Sequence, residues 1–390
     1  MEEICIGMVG AGRATELHMN SLQHISDIPL RYKTIVARRP EQLIVAKKKY
    51  GFEKLSYSFE DLLQDKEIDV IDICAPPYTH IPMIKRALQA GKNVICEKPL
   101  SGFFGNGEDL VGLNVSKVKM YEQVLESLEE LKEIVESSDK HFMYAENFVY
   151  APAIVKAAEI IRAKKSKILY MKGEESLKGS SSYVAGEWNK TGGGTFIRTG
   201  THPLTAILWL KEQEAQAHGQ KICVESVMAD MAMVTPFLTE YEHRHIMARP
   251  KDVEDIGTAI ISFSDQTRAV IIATDTLLGG SKNYVELYCN DAVLNCKLTM
   301  NDMMSTYFLD EDGMEDVYLS EMLPLKLGWN KPFVMDEAVR GYIDEMQDFM
   351  EAIYYNRQPK SDFQLAYNTI KIVYAAYASA ELGKKVILNQ

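Results

Sequence analysis

The sequence lacks the features that mark membrane-spanning, repetitive or disordered proteins. No apolar run approaches the roughly 18 residues that a membrane-spanning helix needs. No repeat and no tract rich in proline, serine or glycine interrupts the chain. The opening residues, Met1-Glu2-Glu3, are acidic and lead directly into a strand pattern, unlike a signal peptide. We therefore expect a globular cytoplasmic protein without a membrane partner.

The chain also has fewer basic than acidic residues. The chain has 43 lysines and arginines against 55 acidic residues, which gives a formal net charge of -12. Nucleic acids and anionic membranes require a concentrated basic surface. This balance argues against both and favours a small-molecule ligand.

Cysteine is sparse, and its spacing excludes the common paired motifs. None of the six cysteines forms a Cys-x-x-Cys pair, and three lie inside apolar, strand-like runs. We expect buried, reduced thiols at these positions, which are Cys5, Cys74, Cys96, Cys223, Cys289 and Cys296.

What the chain does have is a regular alternation of strand and helix patterns in its first part. At 390 residues it is long enough for two domains. Alternation of this kind predicts an α/β Rossmann domain with a doubly wound parallel sheet over residues 1–150. The expected strands are 4–9, 34–37, 70–74 and 93–96, and the expected helices are 40–49 and 80–90.

A glycine turn follows the first strand and opens a helix. Gly10 and Gly12 stand where a dinucleotide fingerprint places glycines, which let the backbone approach a pyrophosphate. Thr15 stands near the position of the third small residue. We expect cofactor contacts from Gly10, Gly12, Arg13 and Ala14, the alternative being a glycine turn that binds nothing.

Two arginines follow the second predicted strand, where NAD-binding enzymes often place an acid that binds the ribose 2'-hydroxyl. Arg38 and Arg39 would suit a 2'-phosphate, and no acid occurs nearby until Glu41. The pair favours NADP over NAD, and a solvated basic pair at a strand end is the alternative.

Two further motifs carry a family resemblance. The segments Ile73-Cys74-Ala75-Pro76-Pro77-Tyr78-Thr79-His80 and Glu97-Lys98-Pro99, together with His18 after the glycine turn, resemble the glucose-fructose oxidoreductase / inositol dehydrogenase (Gfo/Idh/MocA) family. The resemblance implies an NAD(P)-dependent oxidoreductase with a cis Pro99 and with Lys98 as a catalytic residue that binds the reacting hydroxyl. It also implies cofactor contacts from Ala75, Pro76, His80, Glu97 and Lys98.

A second part of the chain, Trp188 to His202, is similar to the family's Gly-Gly-Gly segment and catalytic helix. The resemblance makes His202 the catalytic base and places Trp188 at the substrate. Arg198 stands where the family usually has an aspartate. We expect Arg198 to lower the pKa of His202 by like-charge repulsion and to bind the substrate, or else to pair with an acidic neighbour.

The chain departs from the family pattern after Pro99. About twenty additional residues, approximately 101–119, are expected to form a lid or a subunit contact beside the active site. A helix then resumes from Met120. The strand at 142–150 resembles the last one of the nucleotide domain, which implies that Asn147 and Tyr150 face the substrate cleft, although a buried tyrosine is the commoner arrangement.

Longer strand patterns dominate residues 151–335. Consecutive strands without intervening helices predict an α+β domain with an open, mainly antiparallel sheet. The resemblance assigns this domain to substrate contacts and subunit interfaces, so a homo-oligomer, dimer or tetramer, is expected. Residues 336–390 read as two helices, 335–355 and 364–382, which return to the Rossmann domain. The expected strands are 168–174, 223–234, 257–263, 269–275 and 284–289.

His243 and His245 have the spacing of one face of a strand, and Glu174 and Glu175 lie elsewhere in the predicted sheet. Two histidines and a carboxylate suit zinc or manganese. Most isolated His-x-His pairs bind no metal, so we expect no metal site and leave open that these histidines reach the substrate pocket.

The combined expectation is hydride transfer between NAD(P) and a secondary alcohol of a sugar, polyol or glycoside. Lys98 would polarise the oxygen and His202 would take its proton. The alternatives are glycoside cleavage by transient oxidation and elimination, and a non-catalytic subunit that binds the dinucleotide.

Overall fold

A computed structural model describes residues 3–299, 306–308, 327–330 and 336–388. It has a six-stranded sheet near the N-terminus and a seven-stranded sheet beyond it. Both of the predicted sheets are present, which confirms the expected fold class.

The first sheet is parallel throughout, and its strand order is β3-β2-β1-β4-β5-β6. Its central strands are almost wholly buried because helices cover both faces, which explains their continuous apolar runs. Three predicted site segments follow the carboxyl ends of parallel strands: the glycine turn follows β1, Ala75 follows β4 and Lys98 follows β5. The three segments therefore meet at the same edge of the sheet. The strands are β1 Ile4–Val9, β2 Leu30–Val36, β3 Lys54–Ser56, β4 Val70–Ile73, β5 Asn93–Glu97 and β6 Phe142–Ala145.

The helices expected at 40–49 and 80–90 are observed as α2 and α4, and the helix expected from Met120 is observed as α6, which begins at Lys117. This helix buries Met120, Val124, Leu128 and Leu131 at helical spacing. The helices are α1 Arg13–Leu22, α2 Pro40–Tyr50, α3 Glu60–Gln64, α4 His80–Gln89, α5 Val111–Asn114, α6 Lys117–Ser137, α7 Pro152–Lys164, α8 Trp188–Thr191, α9 Thr201–His218, α10 Glu240–His243, α11 Asp336–Val339, α12 Tyr342–Tyr354 and α13 Phe363–Leu382.

The second sheet has the order β12-β11-β7-β10-β9-β8-β15. Its neighbours are antiparallel except for β7 and β10, which pair in parallel. The strands are β7 Ile168–Ser176, β8 Val224–Ala232, β9 Ile256–Phe263, β10 Arg268–Thr274, β11 Lys282–Cys289, β12 Val293–Lys297 and β15 Val386–Ile387; β13 Thr306–Phe308 pairs with β14 Gly328–Asn330 separately.

The C-terminal helices pack on elements of both sheets. Helix α12 contacts α1, and α13 contacts both α6 and β8, so the end of the chain joins the two sheets. The expected helix 335–355 is observed as α11 and α12, separated by a turn at Gly341; residue 335 lies outside the described residues.

No described helix is long and apolar enough to cross a membrane. All six cysteines are free of disulfides. Cys5, Cys96 and Cys296 are buried as expected, whereas the other three are only partly buried.

Candidate functional site

The glycine turn after β1 requires glycine at its first position. Gly10 has a φ of +115°, and a Cβ there would lie 2.3 Å from the carbonyl oxygen of Cys74. A Cβ on Gly12 would meet nothing within 4 Å. Helix α1 begins at Arg13, and no side chain caps its N-terminus. This arrangement fits a pyrophosphate, which helix N-termini bind well.

Arg38 and Arg39 are exposed at the end of β2, and Arg39 is the N-cap of α2. Neither forms an ion pair with any residue that the structure describes. Both guanidinium groups are therefore available to a phosphate group, and they are equally compatible with a solvated surface.

His80 ties together two of the loops at the edge of the sheet. Its imidazole is fully buried, with Nδ1 2.9 Å from the Pro99 carbonyl and Nε2 2.9 Å from the Ala75 carbonyl. Burial lowers the pKa of His80, and a neutral ring donates to only one of these two oxygens. His80 therefore fixes the loops that carry Ala75 and Lys98, and its contact with the cofactor stays a prediction.

Lys98 lies at the end of β5 and reaches across to the segment before α9. The Lys98–Pro99 peptide is cis, as the family resemblance predicts. The Lys98 Nζ donates to the backbone carbonyl of Arg198. One described partner leaves two of the three ammonium protons for another acceptor, such as a substrate oxygen.

A buried chain of polar groups lies behind Lys98. Asp72 contacts His18 Nδ1 at 2.9 Å, and His18 Nε2 lies 3.2 Å from Glu97 Oε1. The other oxygen of Glu97 accepts from the Lys98 amide at 2.9 Å. Burial opposes the charged imidazole, but Asp72 and Cys74 together outweigh it, so the pKa of His18 is raised well above its usual value.

His202 is held between an aromatic ring and two carboxylates. Its Nδ1 lies 2.6 Å from Glu146 Oε1, and Phe148 stacks on the ring at a centroid distance of 4.9 Å. Its Nε2 lies 3.9 Å from Glu175 Oε2, an oxygen without a hydrogen-bond partner among the described residues. An Nδ1–H that donates to Glu146 leaves the lone pair of Nε2 free to accept a proton.

Arg198 lies ahead of α9 and pairs with an acid. Phe196–Gly200 form a π-helical turn there, an irregularity often found at functional sites. The Arg198 guanidinium pairs with Asp275, and the charged groups that contact His202 are carboxylates. The alternative expectation, an acidic partner for Arg198, is confirmed, and its contact with the substrate stays a prediction. The Arg198 Nε is buried without a described partner.

Three predicted substrate contacts lie in the protein core instead. Tyr150 has no exposed surface, and its hydroxyl donates to Asp348. Trp188 is 1% exposed, and Asn147, at 2%, donates its amide to a backbone carbonyl. Tyr150 thus has the buried arrangement that was the alternative for it, and the substrate contacts of Asn147 and Trp188 stay a prediction.

The insertion after Pro99 is docked rather than free. Trp188 Nε1 donates to the Phe103 carbonyl at 3.0 Å, and the Phe103 amide donates to the Tyr374 hydroxyl at 2.6 Å. Farther along, the Gly112 amide donates to Asp252 at 3.0 Å. These buried bonds tie the segment to both α8 and α13, so it forms part of the wall beside the Gly-Gly-Gly turn.

The predicted strand at His243 is wrong. His243 ends the short helix α10, His245 is exposed beyond it, and Arg249 lies 3.0 Å from His243 Nε2. Glu174 pairs with Lys282 instead. Within the described ranges, the one group with metal-ligand geometry is His18, Asp72 and Cys74, of which His18 and Asp72 are buried and Cys74 is partly buried.

Sequence reasoning missed the carboxylates that organise the site. Glu146, Glu175 and Asp275 each contact a residue far away in sequence. Asp72 had one available signal, because it is a lone acid within the otherwise apolar strand β4. A buried charge needs a partner, which here is His18.

Comparisons with known proteins cover both halves of the chain. Residues 4–125 match the family described as "Oxidoreductase family, NAD-binding Rossmann fold", and residues 167–388 match "Oxidoreductase family, C-terminal alpha/beta domain". Both family descriptions carry the designation GFO_IDH_MocA.

Similar proteins include two dehydrogenases. Levoglucosan dehydrogenase of Pseudarthrobacter phenanthrenivorans is 25% identical over 90% of each chain. Myo-inositol 2-dehydrogenase of Thermotoga maritima is 34% identical over 25% of this chain and 28% of its own. Some other curated relatives also align over less than a third of their length.

The structure of GenD2 from gentamicin A biosynthesis, in complex with NAD, superposes with a TM-score of 0.77. Its sequence is 20% identical, and the match covers 100% of this chain and 97% of that one. At this identity the similarity establishes the fold.

Proposed function

Since the chain belongs to the Gfo/Idh/MocA oxidoreductase family, we propose that it transfers a hydride between NAD(P) and a secondary alcohol of a sugar, inositol or glycoside. The observation that carries this proposal is the approach of Lys98 to the segment that leads into His202. The Lys98 ammonium bonds to the carbonyl of Arg198, four residues before the histidine. A cation and a proton acceptor are thereby brought to one place.

The glycine turn supports a nicotinamide dinucleotide. The open space at Gly12 and the uncapped start of α1 would receive the pyrophosphate, and the bound nicotinamide would supply the hydride acceptor. NAD accompanies the related GenD2 structure. We propose NADP as the alternative cofactor for this chain, because the exposed Arg38 and Arg39 suit a 2'-phosphate.

Lys98 and His202 have separate roles in the proposed reaction. Lys98 would donate to the alcohol oxygen and stabilise its negative charge, while His202 Nε2 would accept the hydroxyl proton. The carbon gives up its hydrogen as hydride to the cofactor, the oxygen gives up a proton to His202, and a carbonyl forms. The reverse reduction uses the same groups in the opposite order.

The environment of His202 supports its role as the base. Glu146 would hold the Nδ1 proton and stabilise the imidazolium that forms. Glu175 has a buried oxygen without a described partner on the Nε2 side, so it is an acceptor for a second substrate hydroxyl. Polyhydroxylated substrates offer such a neighbouring hydroxyl.

We propose that the chain has three parts, at residues 1–150, 151–335 and 336–390. We also propose that the protein is a cytoplasmic homo-oligomer. Exposed apolar side chains on the second sheet favour self-association, since Met228 is 47% and Ile260 43% exposed. Light scattering after size-exclusion chromatography should give a mass of at least two chains, and a single-chain mass at micromolar protein would contradict this.

The experiment that tests the function is a screen of sugars, inositols and glycosides with NAD and NADP in parallel. We expect reduced cofactor and a carbonyl product in stoichiometric amounts. Release of an aglycone without net cofactor reduction would instead support glycoside cleavage by transient oxidation. Tight cofactor binding without turnover of any compound would indicate a non-catalytic subunit and contradict the proposal.

A further inference from the structure

A large cavity in the second half of the chain lies next to the proposed active site. Its volume is about 770 Å³, which is in the range of small-molecule sites. The loop after β7 and the loop after α10 form much of its wall, together with residues 253–255 and Asp275. Neither Lys98 nor His202 is among its lining residues, so the cavity is adjacent to the reacting groups rather than around them.

Arg198 connects the cavity to the proposed reaction centre. Its backbone carbonyl accepts from the Lys98 ammonium, and its guanidinium pairs with Asp275 on the cavity wall. The cavity therefore begins within the length of one arginine side chain from Lys98. A ligand that occupies both places must extend past the Arg198–Asp275 ion pair.

The acidic groups of the cavity wall are already occupied. Asp255 accepts bonds from two backbone amides and one threonine hydroxyl. Glu254 accepts from two backbone amides and a tyrosine hydroxyl, and burial raises its pKa. Asp275 is paired with Arg198. The hydrogen bonds and the ion pair of these three acids are therefore made within the protein. Little uncompensated negative charge remains to face a ligand in the cavity.

The cationic groups of the wall are not neutralised in the same way. Lys178, Arg244 and Arg249 form no ion pair with any carboxylate in the described part of the chain. Arg249 donates to backbone carbonyls, and Arg244 stacks on the ring of Tyr241 at 3.6 Å.

Lys178 is the most informative of the three. Only 8% of this residue is exposed, yet its ammonium has no hydrogen-bond partner among the described residues. The ammonium nitrogen itself keeps accessible surface, so it opens onto the cavity. A cation that opens onto a cavity without a carboxylate partner offers a charge-assisted contact to an anion that binds there.

We propose that this cavity binds a negatively charged substituent of the substrate, a carboxylate or a phosphate, with Lys178 as its principal contact. The inference rests on the proposed function and narrows it, since the substrate would be an anionic sugar or polyol. Arg249 and Arg244 add positive charge at the same opening. In a chain of net charge -12, such a group of unpaired cations also attracts an anion selectively.

The test compares ligands that differ in one group: D-glucose, D-glucuronate and D-glucose 6-phosphate. Their binding to the cofactor-loaded protein is measured by calorimetry, and reduction of NAD and NADP is followed separately. The variants are Lys178→Met, Lys178→Arg and, as a matched control, Lys221→Met, which removes an exposed lysine away from the cavity. Thermal unfolding checks that each variant is folded.

We expect at least one anionic ligand to bind about 10- to 100-fold more tightly than glucose, the effect of one charge-assisted hydrogen bond. That ratio should fall towards one in Lys178→Met and recover in part in Lys178→Arg. The ratio in Lys221→Met should equal that of the wild type. Glucuronate and glucose 6-phosphate separate the carboxylate from the phosphate.

Equal binding of neutral and anionic ligands would overturn the inference, as would an anionic preference that survives Lys178→Met. Anionic binding without any cofactor reduction would contradict the proposed function and leave the anion site supported. Reduction of the cofactor with glucose, but with neither anionic sugar, would contradict the anion site and leave the proposed function supported. The two proposals can therefore fail independently.

Discussion

The Glu146 carboxylate lies 2.6 Å from Nδ1 of His202, although the two residues are 56 positions apart. The contact joins the end of the Rossmann sheet to the first turn of α9. It orients the imidazole and assigns its proton to Nδ1, so that Nε2 faces the space beside Glu175. The histidine is thus prepared for proton transfer by residues from both halves of the chain.

Replacement of this carboxylate should reduce turnover without abolishing cofactor binding. An amide in Glu146→Gln no longer stabilises the imidazolium, so we expect kcat to fall on the order of 10²-fold. The Kd for NAD, measured by fluorescence titration, should be unchanged because Glu146 lies on the proton-transfer side of the site. Wild-type kcat in Glu146→Gln would show that the contact only supports packing.

The ion pair between Arg198 and Asp275 should contribute to stability through its buried partner. Arg198→Met leaves Asp275, whose carboxylate is largely buried, without its cation, and we expect a loss of about 2 kcal/mol in the free energy of unfolding. The double variant Arg198→Met/Asp275→Leu should regain most of that loss. Urea denaturation measures all three proteins. Equal stability of the single variant and the wild type would contradict a stabilising pair.

The arginines after β2 should govern the choice of cofactor. If they bind a 2'-phosphate, Arg38→Ser/Arg39→Ser should weaken NADP binding by about 10- to 100-fold and leave NAD binding unchanged. The control is Lys66→Ser, an exposed lysine elsewhere on the domain. An equal Kd for NADP in the double variant and the wild type would show that both arginines are solvated and bind no 2'-phosphate.

The His18 ion pairs should make stability depend on pH in a defined direction. The pKa of His18 is raised well above 6.5 by Asp72 and Cys74 despite burial, so the folded protein retains its proton more strongly than the unfolded chain. This contribution is complete below pH 6.5 and is lost as pH rises towards the elevated pKa. The stability difference between wild type and His18→Gln, measured in urea, should therefore shrink with increasing pH. A constant difference from pH 6 to 9 would contradict it.

Local patterns predicted the elements better than they predicted the contacts. The apolar runs of β1, β4 and β5 are explicit because parallel strands are buried on both faces. The motif around Lys98 is equally local, and its cis peptide agrees with the family resemblance. Such features depend on neighbouring residues and can therefore be read directly along the chain.

The carboxylate partners depend on folding and were not predictable in the same way. Asp275 meets Arg198 because the π-helical turn Phe196–Gly200 packs against β10, which precedes Asp275. Tyr150 and Trp188 carry polar atoms that suit a substrate site, yet the fold pairs those atoms internally. The periodicity at His243 was short enough to fit a strand, but a capping box at Thr239 favours the start of a helix.

The central claim is that Lys98 and His202 together carry hydride and proton transfer. The most direct test uses a substrate from the screen with deuterium at the oxidised carbon, and follows transfer of that label to the nicotinamide by mass spectrometry. We expect the wild type to transfer it and Lys98→Met and His202→Gln each to do so at least about 100-fold more slowly, with the Kd for the cofactor unchanged in His202→Gln. Wild-type rates of label transfer in both variants would contradict the account.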